Sequence, residues 1–324
     1  MGLIRKSVHR VLWILLAVPL LLLPMLTRVA RAAGGETPEF RRAGADGAVT
    51  VRILGAEGHI EEQNLEDYLV GVVLGEIPAD FEEEALKAQA VAARTYTRKA
   101  MVTGGKHGEG LLCREAGCCQ AYWDPEDFLD RGGSRQELEN VQSAVRETDD
   151  QVLTYDGELI EATFFSCSGG RTEDAVAVWG TDHPYLRATV SPGEEEARFF
   201  RDSRSFSRQE LEAALGITLP RDPGDWLGET AYTSGGGVKT WTVAGETFSG
   251  VEVRKLLGLR SAAFRATVEG DGLTFETRGY GHRVGLSQYG AQAMAQAGKS
   301  YGEILLHYYP GTEMVKYVEK FTNE

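Results

Sequence analysis

Past its first 34 residues this chain is short of positive charge. That opening stretch holds Arg5, Lys6, Arg10, Arg28 and Arg31 but none of the 48 acidic residues. The net charge of −14 therefore becomes −19 over the remainder. An acidic body of that size argues against a nucleic-acid binder, which must neutralise phosphates with Lys and Arg. Cysteine is scarce as well, with four residues and no C-x-x-C pair. A thiol-redox protein is thus the weakest of the function classes. No G-x-S-x-G elbow is present, and Gly235-Gly236-Gly237 lacks the Lys and Ser/Thr of a phosphate loop, which removes two common catalytic motifs. No internal repeat is visible. What is present is an ordinary globular composition, 42% hydrophobic and 25% charged over 324 residues, enough for one large domain or two lobes.

The N-terminus reads as basic flank, apolar run, basic flank. Val11 to Leu26 carries no charge over sixteen residues. A signal-peptide core runs to roughly 7–15 residues and a spanning helix to roughly 17–25. The length and the basic residues that follow favour a retained single anchor, although Ala30-Arg31-Ala32 could serve as a cleavage site. The expected layout is an anchor over residues 1–33, a linker over 34–47 and a catalytic domain over 48–324. Everything past the anchor is expected outside the cytoplasm.

Alternation predicts a strand near 48–54. From Asn64, the apolar residues Leu65, Tyr68, Leu69, Val72 and Val73 form one helical stripe, which predicts a helix over 64–76. Glu76 continues that stripe, so it points inward, and Pro78 bars Ile77 from helical geometry. Asp80 is expected to cap a second helix with Glu83 as its capping partner. The inward stripe of that helix would be Leu86, Gln89, Ala90, Ala93, Tyr96, Thr97 and Ala100. Further helices are expected over 134–147 and 207–216. Strands are expected over 151–156 and 159–166, joined at Asp156-Gly157, and as short segments across about 238–278. Ser287 should cap a helix that runs to about Ala297 and stops at Gly298. The mixture predicts an α+β fold, with helices and antiparallel or mixed strands forming a cleft.

Four segments could carry chemistry. Burial would raise the pKa of Glu76, as a general acid near neutral pH requires; the plain alternative is an ion pair with a nearby Lys or Arg. His107, Cys113 and Cys119 stand six residues apart, and such a loop can wrap one zinc ion. The competing reading is a Cys113–Cys119 disulfide in an oxidising exterior. The turn from Phe164 to Glu173 is either a hydroxyl-lined ligand wall or a strand-to-loop corner, and nothing nearby supplies a base for Cys167. Gly279 to Ala291 is glycine-rich just before a helix, where unpaired N–H groups can meet a sugar. Its plain alternative is a tight loop in which His282 bonds only backbone.

Together these residues resemble a known family. Glu76-Ile-Pro through Glu84-Ala-Leu-Lys-Ala-Gln-Ala-Val-Ala-Ala-Arg-Thr-Tyr96 looks like the signature of the stage II sporulation protein D family. Ser166-Cys-Ser-Gly-Gly-Arg-Thr172, Trp179…His183-Pro-Tyr-Leu186 and Gly281-His-Arg-Val-Gly-Leu-Ser-Gln-Tyr-Gly-Ala291 resemble it too, in the family order. The resemblance implies a peptidoglycan lytic transglycosylase with Glu76 as its catalytic residue, and zinc held by His107, Cys113 and Cys119. It further implies an engulfment role in an endospore former, beside the stage II sporulation protein P amidase and stage II sporulation protein M. The preferred substrate would be a glycan strand already stripped of stem peptides. Cys167 departs from the smaller or hydroxyl residue that members often carry. Gln89, Ser168, Tyr185, His282 and Gln288 are the expected sugar contacts. No second carboxylate is evident, which suits a mechanism that needs no catalytic water. The alternatives are a non-catalytic glycan-binding or amidase-enhancing module and a lysozyme-type hydrolase.

Overall fold

The computed structural model describes residues 49–317; the expected anchor and linker lie outside them. Among the described residues no helix is long and apolar enough to cross a membrane.

The first hairpin pairs β1 (Thr50–Leu54) with β2 (Ile60–Asn64) and runs directly into α1 (Leu65–Glu76). The Asn64 side chain caps α1 by accepting from the N–H groups of Glu66 and Asp67, which would otherwise lack partners. Pro78 ends the helix as expected, and Ile77 is extended at φ −127° and ψ 144°. The second helix, α2 (Glu83–Thr103), starts later than the sequence suggested. Phe81 N–H bonds the Pro78 carbonyl, so Asp80 is spent in a turn and Glu82 takes the N-cap without a side-chain bond.

α2 is the axis of the molecule. From Ala85 to Met101 no residue is exposed. Alanines at 85, 88, 90, 92 and 93 let neighbours close in from every side. Those neighbours include α1, α4 (Arg135–Glu147, after the short α3, Pro125–Asp130) and β3 (Gln151–Tyr155). The predicted inward stripe is buried up to Ala93 and at Thr97, with Tyr96 and Ala100 half-buried, and the remaining faces are covered as well. Arg94 is 0% exposed because its guanidinium is consumed: it forks onto Glu66 at 3.0 and 2.6 Å and bonds the Val145 carbonyl at 3.0 Å. It ties α1, α2 and α4 together.

The turn at Asp156-Gly157, both at positive φ, joins β3 to β4 (Glu158–Leu159) as predicted. The longer strand expected over 159–166 does not form. Beyond Ile160, whose N–H still reaches the Leu153 carbonyl at 3.3 Å, the chain leaves its partner, and only β5 (Phe164–Phe165) resumes pairing. Its partner is the distant β12 (Leu286–Ser287), in parallel, so local alternation could not reveal it. A short helix, α5 (Ala175–Trp179), follows β5. An outer lobe comes next: β6 (Arg201–Ser207), α6 (Arg208–Leu215), the meander β7 (Leu227–Tyr232), β8 (Val238–Val243) and β9 (Glu246–Ser249), α7 (Gly250–Leu257), β10 (Phe264–Glu269) and β11 (Gly272–Arg278). Trp226, Trp241, Phe264 and Phe275 fill its own apolar core. The expected run of strands over 238–278 is thus interrupted by α7. After β12, helices α8 (Gln288–Gln296) and α9 (Tyr301–Tyr308) pack back onto α2, and β13 (Glu313–Lys316) joins the edge of β3. The α+β expectation holds, with strands mostly antiparallel.

Candidate active site

Two glycines on α1 are out of place for a helix interior, where each costs about 1 kcal/mol. A Cβ on Gly75 would lie 2.6 Å from Tyr122 N, and one on Gly71 would meet the Tyr122 ring. Their absence lets the segment 121–123 lie directly on α1, where Trp123 N–H bonds the Gly71 carbonyl at 3.0 Å. That approach delivers the Ala121 N–H to Glu76 Oε1 at 2.5 Å. The Gln288 side chain, at the start of α8, also hydrogen-bonds Glu76. No cation pairs with Glu76 among the described residues, so the plain ion-pair alternative is not what forms. Burial raises the pKa of this carboxyl, and the bonds from Ala121 and Gln288 offset only part of the rise.

Glu76 opens into a cleft of about 1140 Å³. Tyr96 and Lys99 of α2 line it, together with Glu161, Trp179, His282 and Gln288. Trp179 is 45% exposed and stands 5.1 Å, centroid to centroid, from His282, which also meets Phe165 edge-on. Such an aromatic cluster with one wet face suits a sugar ring. Burial and the Arg254 charge hold His282 down to about 4, so it is neutral at pH 7. Its Nδ1 accepts from Val284 N–H at 3.2 Å, which leaves any ring proton on Nε2. His282 therefore does bond backbone, as its plain alternative held, but it also faces the cleft.

Glu161 is a second carboxylate in this cleft, contrary to the expectation of a lone one. Lys99 Nζ sits 3.8 Å from it, and its own N–H donates to the Tyr185 hydroxyl at 3.1 Å. Nothing in the sequence around Glu161 marks it, because strand 159–166 was expected to carry it past the site.

The loop after α2 gathers His107, Cys113, Cys118 and Cys119 so that one ligand atom from each lies within 4.8 Å of the others. All four cysteines are free thiols, so the disulfide alternative is absent. Burial raises Cys119 to about 12 and also raises Cys118. It acts on Cys113 as well, but hydrogen bonds from the Glu115 backbone and His107 bring that thiol down to about 7. Tetrahedral zinc sets thiolate ligand atoms about 3.8 Å apart, and His107 Nε2 already lies 3.4 Å from Cys118 Sγ. The donor set fits a zinc-like ion, and Cys118 offers a fourth donor atom that spacing alone did not supply. Gln120 anchors this loop to α2 by accepting from Thr97 Oγ1 at 2.8 Å.

A family model for stage II sporulation proteins matches residues 55–155. The chain is 38% identical over 290 residues to stage II sporulation protein D of Bacillus amyloliquefaciens, covering 88% of this chain and 83% of that protein. It is 39% identical over 264 residues to the Bacillus subtilis (strain 168) protein of the same name, 80% and 76% of the two chains. The chain belongs to the stage II sporulation protein D family. It is also 30% identical over 307 residues to the amidase enhancer of Bacillus subtilis (strain 168), covering 77% of this chain and 40% of that larger protein.

The family motifs divide between the cleft and its supports. Glu76, His282 and Gln288 line the cleft. Gln89 lies behind Gln288, whose Nε2 reaches its Oε1 at 3.5 Å, and its own Nε2 has no partner among the described residues. Tyr185 is buried and holds Glu161 and His183 from behind. Ser168 is 0% exposed, its hydroxyl donating to Glu194 at 2.6 Å. Glu194 also accepts from Ser191, Ser287 and the Gly170 N–H, so it joins the Ser-Gly-Gly turn to the N-cap of α8. Within Ser191-Pro-Gly-Glu it reads as a surface turn, which conceals this role. Cys167 is buried, 3.6 Å from Glu194, and burial pushes its thiol up to about 12. It does not line the cleft, and it is not an activated nucleophile. Arg283, also in the family motif, is a clamp: it bonds Ser168, Arg171 and Gly235 carbonyls and pairs with buried Glu173 at 3.2 Å.

Proposed function

We propose that this chain is a lytic transglycosylase that cleaves the β-1,4 bond between N-acetylmuramic acid and N-acetylglucosamine in peptidoglycan glycan strands. The observation that carries the reading is Glu76: a carboxyl held by two uncharged donors, facing a cleft, with its pKa raised by burial. Protonated Glu76 donates to the bridging oxygen as C1 of the muramic acid becomes oxocarbenium-like. The resulting carboxylate then takes the proton of the 6-hydroxyl, whose oxygen bonds C1 and closes a 1,6-anhydro ring. The proton count balances, and one residue serves both steps. Family membership supports a place in the engulfment of an endospore former, with the stage II sporulation protein P amidase and stage II sporulation protein M as partners. The chain would be held in the membrane by residues 1–33, its bulk in the space outside the cytoplasm.

His107, Cys113, Cys118 and Cys119 would hold a zinc ion, whose contribution would be to brace the loop that ends at Ala121. Elemental analysis of purified protein is expected to give one zinc per chain, and Cys118→Ser to weaken retention against a chelator. An ion held equally well by the Ser variant removes Cys118 from the ligand set.

Two other readings each rest on one observation. Glu161 in the cleft favours a hydrolase, and the amidase-enhancer likeness favours a non-catalytic module. Mass spectrometry of glycan strands incubated with purified protein separates all three. The transglycosylase yields anhydro-muramic ends, lost roughly 10²–10⁴-fold in Glu76→Gln by removal of the acid alone, and formed still by Glu161→Gln. Reducing ends identify a hydrolase. No cleavage by folded wild-type protein identifies a binder.

A further inference from the structure

Three cationic side chains line the cleft, and two of them are occupied. Lys99 bonds the Leu159 carbonyl at 2.7 Å and faces Glu161. Lys106 donates to the Cys118 carbonyl. The guanidinium of Arg254, which enters from α7 on the outer lobe, makes no hydrogen bond or ion pair among the described residues. It is not a freely solvated arginine: the side chain is half-buried, and that burial disfavours its charge. It also stands close enough to His282 for its charge to be felt there. A guanidinium taken partly out of water and given no acceptor is costly. Its place in the last turn of α7 suits the helix dipole, but exposed Lys255 beside it does the same without burial.

We propose that Arg254 is a specificity-determining residue that pairs with a free carboxylate on the bound glycan. The inference rests on the glycan-strand reading given above. N-acetylglucosamine is uncharged, and the one anionic group that belongs to the glycan itself is the lactyl carboxylate of muramic acid. That group exists as an anion only where no stem peptide is attached, because the peptide bond converts it to an amide. A planar guanidinium matches a carboxylate with two parallel N–H···O bonds and offers an amide no such pair. The cleft would thereby distinguish stripped from substituted strands by charge as well as by bulk. Arg254 moves no proton in the reaction; it sets which strands are held.

The test measures binding of three soluble ligands to full-length protein: denuded glycan, the same glycan with its lactyl carboxylates converted to methylamides, and peptide-bearing glycan. Wild type is expected to hold the denuded strand roughly 10–100-fold tighter than its methylamide, the range of a charge-assisted pair, with a preference that shrinks as salt is raised. Arg254→Gln should equalise those two ligands, and Arg254→Lys should retain part of the difference, with circular dichroism verifying the fold of each. If peptide-bearing glycan binds as tightly as the denuded strand and Arg254→Gln weakens both alike, the guanidinium reads peptide carboxylates and the proposal is overturned. It is overturned equally if wild type binds denuded and methylamide strands alike. In either case the glycan reading survives. Failure of folded wild type to bind any of the three removes both.

Discussion

At Glu76 stability and chemistry pull in opposite directions. Its folded pKa lies above the ordinary carboxyl value. Such a group favours the folded state when protonated and opposes it when ionised, so its cost is present at neutral pH and disappears as pH falls to the carboxyl range. Glu76→Gln is therefore expected to be more stable than the parent at pH 7, by roughly 0.5–2 kcal/mol, with the gain narrowing toward pH 4. Thermal melts at both pH values measure this; a variant that melts lower at pH 7 would falsify the assignment of a strained, functional carboxyl. The inward direction of Glu76 was legible, because its position continues a helical stripe. Its partner was not: the Ala121 N–H lies 45 residues away and reaches it only through the gap that Gly75 leaves.

That gap makes α1 and the segment 121–123 one working element. Gly75→Ala should push the segment outward, break the bond to Glu76 and cost roughly 1–3 kcal/mol by overpacking. Glycan cleavage should fall further than the stability loss explains, and urea denaturation alongside product analysis checks both. Full activity in Gly75→Ala would show that the Ala121 bond is dispensable. Among the elements, two with complete local signals were readable. α4 and α6 carry Ser–x–x–Glu capping boxes at Ser134 and Ser207. The same signal stands at Ser249 and Ser300, where α7 and α9 passed unread among strand-like residues. Strand 159–166 failed for a different reason. Period-2 alternation announces an extended chain, but pairing needs a partner, and for Phe164 and Phe165 the partner is 122 positions further on.

Over the whole molecule, the α2-centred half and the outer lobe are joined where Arg283 meets Glu173 and the Gly235 carbonyl. Both side chains are only 4% exposed, so removing one leaves the other charged and dry. Arg283→Met is expected to cost roughly 3–5 kcal/mol, read as a lower urea midpoint, whereas Arg283→Met combined with Glu173→Gln should cost distinctly less. Equal losses in the single and double variants would refute a buried-charge origin. The general class of fold was legible from its mixture of periods. The division into a helix-centred half and an outer lobe was not: the lobe's core is one contiguous run from Phe206 to Phe275, but α2 packs with residues as distant as Tyr309, so the half around it is split in sequence.

α2 has no fully exposed residue between Ala85 and Met101, and this limits how the chain can vary. A single inserted residue there would rotate every later side chain by about 100°. Arg94, Tyr96 and Lys99 would swing away from their partners together. The turns of the outer lobe, such as 216–225, touch no such shared axis. Length variation among descendants of this sequence should therefore accumulate in those turns, while the alanine-rich helix keeps its residue count unchanged.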